Sequence, residues 1–153
     1  MKSNSKLIQE IPVPYCNYDI CARLKEIGFD VPTQNFWEES LTEQYDDEDG
    51  YSGPFGWEKG EINFRNGYTV NSLIPSNKYW YICSAPDINT VVDWIRLNYN
   101  IWISVEYILS VGKYKAYINS MTNEEISIPD LDLYYDPQSA TASAIRYVLD
   151  ILI

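Results

Sequence analysis

Apolar residues at Ile20, Cys21, Leu24 and Ile27 repeat at the spacing of one helix face and predict a helix from about Asn17 to Ile27. Asn17 suits the N-cap, Gly28 the left-handed position after the last turn, and Pro32 blocks continuation. Phe29 is expected to pack back onto this helix. Asn35 to Glu38 predicts a short strand. Glu61 to Ser72 predicts a hairpin centred on Asn66-Gly67, with Gly67 in a bulge so that Phe64 faces Tyr68 and Ile62 faces Val70. A further strand is expected over Tyr79 to Cys83.

Asp87 then caps a second helix whose buried face is Ile88, Val91, Val92 and Ile95. Trp94 borders that face and is expected at least half buried between helix and sheet. Asn98 and Asn100 suit its end. The strictest alternation follows, Ile101, Ile103, Val105, Tyr107 and Leu109, and predicts a half-buried strand. A turn over Ser110 to Lys113 would set Tyr114, Ala116 and Ile118 opposite Leu109, Tyr107 and Val105. Thr122 to Tyr135 reads as a polar connection. Asp136 caps a last helix with Pro137 at its first position, and Thr141, Ala144, Ile145, Val148, Leu149 and Leu152 form its buried face. This order predicts an α+β fold, a mainly antiparallel sheet with about three helices packed on one face.

At 153 residues, 46% of them hydrophobic, the chain fits a single domain over 1–153 with a core of its own. Its net charge of −11 is uneven. Nine acids and one base lie between Glu38 and Glu61, so most of the excess sits there. Together with Gly50, Gly53, Pro54 and Gly56 this composition predicts an acidic surface loop at about 43–60. Asp46, Asp47, Glu48, Asp49, Phe55 and Trp57 are its candidate partner contacts, and a basic protein is the partner they would suit. Clustered Lys and Arg are missing, so no nucleic acid is expected as a ligand.

The chain has no histidine. That excludes Ser-His-Asp and Cys-His catalysis and most zinc sites. Cys16, Cys21 and Cys83 are odd in number, suggest no disulfide framework, and read as reduced, buried small hydrophobes. An EF-hand placed on Gly50 would need an acidic first ligand where Tyr45 stands and a closing Glu where Gly56 stands, so no metal is assigned. The glycines precede no Lys-Ser/Thr of a phosphate loop, and no cofactor is expected. Lys113 and Lys115 beside Tyr114 and Tyr117 read as a solvated strand edge. No run reaches the roughly 18 apolar residues of a membrane span, and Met1 to Tyr15 lacks the apolar stretch of a signal peptide, so a cytoplasmic protein is expected. Carboxylate pairs with Trp37, Trp57 and Trp80 as stacking faces leave an enzyme or sugar-binding module as the alternative, although no catalytic residue is singled out.

Several segments resemble a family of short proteins, uncharacterised in function, from Bacteroidetes and their phages or prophages. They are Ala22-Arg23-Leu24-Lys25-Glu26-Ile27-Gly28-Phe29-Asp30 with Pro32, Ser84-Ala85-Pro86, Trp94-Ile95-Arg96, Tyr99-Asn100-Ile101, and Ala140 to Ile153. The chain departs from that family at Tyr45 to Gly60, which looks like an insertion, and at Leu97, where the family usually carries Glu. The resemblance implies an α+β fold and a mobile-element context, with no activity, cofactor or catalytic residue. The expectation that follows is a non-enzymatic interaction module acting through an acidic, aromatic-bearing surface.

Overall fold

The computed structural model describes residues 15–45, 54–120 and 131–153, with the side chains of 42–45 and 54–60 outside that description. Its architecture is α+β. Helix α1 (Tyr18–Glu26) is followed by strands β1 (Thr33–Tyr45), β2 (Pro54–Thr69) and β3 (Trp80–Ser84). Helix α2 (Ile88–Tyr99) leads to β4 (Ile101–Ile108), β5 (Lys113–Ser120), β6 (Leu133–Tyr134) and helix α3 (Pro137–Tyr147), which ends in a π-helical turn over Val148–Leu152. The strands form two antiparallel sheets, ordered β2-β1-β3 and β4-β5-β6.

Each helix starts where its capping chemistry predicts. Asn17 accepts from the Ile20 N–H, Asp87 from the Thr90 N–H and Asp136 from the Ser139 N–H, so each satisfies an orphan donor of a first turn. Asn100 closes α2 in the left-handed conformation, φ 57°, and turns the chain straight into β4. α2 and α3 pack on the second sheet, where Ile101, Ile103, Ala116 and Ile118 are buried and Trp102 and Ser104 are exposed. α1 packs against β3 of the first sheet. Ile20, Leu24, Cys83, Val91, Ile95, Ile145 and Leu149 join these layers in one core. Trp94 is partly buried there, its ring 5.2 Å from Phe29 and 5.5 Å from Tyr99.

Four local expectations are corrected. Asn66-Gly67 is not a hairpin turn, because β2 runs through it to Thr69. Between the Thr33–Thr69 and Asn35–Asn66 pairs β2 holds one residue more than β1, so the dipeptide marks a bulge inside a long ladder. Its glycine is needed for space, since a Cβ on Gly67 would lie 2.9 Å from Phe36 Cε1. Gly67→Ala should therefore cost about 1–3 kcal/mol by forcing the Phe36 ring aside. Urea denaturation measures this, and wild-type stability would mean that the ring yields freely.

The acidic loop expected at about 43–60 is corrected at both ends, because β1 extends to Tyr45 and β2 begins at Pro54; residues 46–53 lie outside the described residues. Backbone pairing with β1 draws Gly56 and Trp57 into the ladder despite a composition that favours loops. In the second sheet Tyr107 pairs with Tyr114, Val105 with Ala116 and Ile103 with Ile118, a register two residues from the expected one. Leu109 joins the turn instead, where Gly112 takes φ 66° and donates its N–H to the Ile108 carbonyl. The inward faces are unchanged, because a shift of two preserves the pleat. Finally, Lys113 and Lys115 do not lie on an edge strand, since β5 runs between β4 and β6. Their ammonium groups sit over the rings of Tyr135 and Tyr117.

Candidate functional site

The residues singled out as partner contacts fall in two groups. Asp46, Asp47, Glu48 and Asp49 lie outside the described residues, and Phe55 and Trp57 lie on β2 with their side chains outside the description. The described residues offer a different site, a cleft of about 560 Å³ between α1 and the first sheet. It is lined by Tyr18, Asp19, Ala22, Arg23, Glu26, Glu39, Leu41 and Tyr81.

Helical and strand periodicity together build this cleft. Tyr18, Asp19, Ala22 and Glu26 lie on one flank of α1 at spacings of three to four residues. Trp37, Glu39 and Leu41 share one face of β1 by the two-residue period of a strand. Tyr81 is the direct ladder partner of Glu39, which sets the two side by side. Glu39 is the only buried residue among the eight, 4% exposed, and the others rise around it.

Tyr18 donates its hydroxyl proton to Glu39 Oε2. Glu39 Oε1 has no hydrogen-bond partner, one of two such buried side-chain atoms among the described residues; the other is Ser84 Oγ. The rings of Tyr18 and Tyr81 meet edge-on, with centroids 6.3 Å apart at 83°. Burial raises both phenols above their ordinary pKa, Tyr81 to about 12, and the hydrogen bond to Glu39 adds to the rise at Tyr18. Both walls therefore stay neutral at physiological pH. Lys25 Nζ lies 4.8 Å from the centre of the Tyr81 ring and donates to the Ile82 carbonyl at 2.6 Å. At the rim Arg23 pairs with Glu26 at 3.1 Å.

The aromatic candidates for sugar stacking separate. Trp37 is held edge-on between Tyr18 and Phe64, and its indole N–H donates to the Cys16 carbonyl at 2.9 Å, so neither of its uses requires a ligand. Trp80 is 41% exposed at the start of β3. The three cysteines are free and buried. Burial lifts the thiols of Cys16 and Cys83 to about 12 and raises Cys21 as well, so all three are protonated packing groups rather than nucleophiles.

Tyr18, Glu39 and Tyr81 were not among the residues that the sequence singled out. The available signal was parity. Once a strand is extended past Glu38, Trp37, Glu39 and Leu41 share a face, and a lone acid between two large apolar groups marks a buried carboxylate. No family model matches this chain, nor does any curated protein or solved structure, so the cleft stands on its own chemistry.

Proposed function

We propose that this chain is a non-enzymatic interaction module of phage or mobile-element origin, acting in the cytoplasm on a basic protein partner. The observation that supports this reading is the cleft, where two neutral tyrosine walls rise beside a buried carboxylate and the rim carries Asp19 and Glu26 against one cation, Arg23. Such a surface favours cationic side chains and repels phosphate backbones, in keeping with a net charge of −11. The candidate contacts Asp46, Asp47, Glu48, Asp49, Phe55 and Trp57 add four acids and two aromatics to the same preference for a basic partner. The resemblance to short Bacteroidetes phage and prophage proteins supports the setting.

The test is affinity capture from host lysate with mass spectrometry, comparing the native chain with an Asp19→Asn, Glu26→Gln variant. Basic proteins should be retained by the native chain and depleted from the variant, with the melting temperature unchanged. A captured set indifferent to those two charges would remove the cleft from the interaction. Loss of the partner only on neutralising Asp46 to Asp49 would move the contact to the acidic segment.

A carboxylate enzyme or sugar-binding module is the second reading, because Asp19, Glu26 and Glu39 share a concave site. Against it, Glu26 is engaged with Arg23 and Trp37 is committed to the Cys16 carbonyl. Hydrolysis of chromogenic glycosides that vanishes with Glu39→Gln would establish this reading and overturn the first.

A further inference from the structure

The feature at the cleft that nothing so far accounts for is the buried, unpartnered oxygen of Glu39. A buried carboxylate oxygen without a donor costs free energy, and the ladder holds Glu39 in place between β2 and β3. Resident cations do not relieve it. Lys25 is committed to the Ile82 carbonyl and Arg23 to Glu26. Glu39 lines the cleft, so a donor from that side meets this oxygen once the carboxylate turns outward.

We propose that the cleft receives a primary alkyl ammonium group, the end of a lysine side chain, with Glu39 Oε1 as acceptor and Tyr18 and Tyr81 as walls. This rests on the interaction reading above and names the chemistry it recognises. Three observations select an ammonium. Only one carboxylate oxygen lacks a donor, because Tyr18 occupies the other, and a guanidinium fork needs both for bidentate pairing. The Tyr81 ring already carries one ammonium, that of Lys25, so this tyrosine is a working cation platform. Ala22 and Leu41 line the same cleft and give the methylene stem of a lysine an apolar path. A divalent metal fits less well, since it wants several oxygen ligands and no group of three acids among the described residues is close enough to supply them.

The experiment is calorimetric titration of the unmodified protein at low salt with four probes. They are an oligolysine peptide, an oligoarginine peptide of equal length, the fully Nε-acetylated oligolysine, and 1,5-diaminopentane. Oligolysine should bind, the acetylated peptide should not, and oligoarginine should bind about tenfold more weakly. Glu39→Gln, which keeps shape and removes charge, should weaken oligolysine by about the same factor. Equal or tighter binding of oligoarginine overturns the ammonium inference and leaves the interaction reading in place. So does undiminished oligolysine binding by a folded Glu39→Gln variant. If diaminopentane binds as tightly as the peptide, the ammonium inference holds and the protein-partner reading falls. If no probe binds, both fall. The lysine–arginine contrast uses the native chain, so it holds even where the variant fails to fold.

Discussion

Phe29→Ala should destabilise the protein by about 3–5 kcal/mol, as a lower urea midpoint with little change in slope. Phe29 is 1% exposed and follows α1 at the point where the helix is closed off. Gly28 takes φ 93°, its N–H donates to the Lys25 carbonyl, and the Phe29 N–H donates to the Leu24 carbonyl. This paired closure directs Phe29 back over Leu24, and both are buried. Its ring then meets Trp94 of α2 edge-to-face at 5.2 Å. One side chain thus joins the end of α1 to the middle of α2, and truncation opens a cavity between two helices. A loss below about 1 kcal/mol would mean that the site collapses around the missing ring.

The second large effect is expected at Asn71, in the 3-10 turn over Asn71–Leu73 that follows β2. Its amide donates to the Phe29 carbonyl at 2.8 Å and its oxygen accepts from the Ser84 N–H at 2.9 Å. Asn71→Ala strands one buried acceptor and one buried donor at once. With about 1–3 kcal/mol for each unsatisfied group, the variant should lose about 2–6 kcal/mol. Amide exchange at Ser84 should accelerate more than the global loss explains. Protection at Ser84 unchanged from the native chain would show that another group takes over its N–H.

What could be read in advance divides by range of interaction. The three helix starts were legible because Asn17, Asp87 and Asp136 act on N–H groups three residues away, and α2 and α3 carry uninterrupted apolar faces. β4 was legible at Ile101 and Ile103, where one side is covered by helices. The pattern misleads at Leu109, which is 85% exposed in the turn. β1 and β2 were legible only in part, as Asn35 to Glu38 and within Glu61 to Ser72, because their ladder joins residues from 9 (Tyr45–Pro54) to 36 (Thr33–Thr69) positions apart. Nothing local distinguishes Gly67 in a bulge from Gly67 in a hairpin turn; the difference is the Phe36 ring lying against it. The cleft was hidden for the same reason. Glu39 stands among acids in the sequence, and only pairing with Tyr81 and burial beneath α1 separate it from its solvated neighbours.

The three buried thiols give the molecule a built-in clock. A thiol held well above its ordinary pKa and shut away from water cannot be alkylated at neutral pH until its surroundings part. Cys16 lies just before α1, Cys21 within it and Cys83 on β3, so each records the opening of a different joint. If α1 lifts as a unit away from the first sheet, all three are uncovered by one event and share one labelling rate. If the segment before α1 peels first, Cys16 runs ahead of the other two. The order in which the cysteines are labelled thus traces the hierarchy of motion around the cleft, since α1 forms one wall of that cleft.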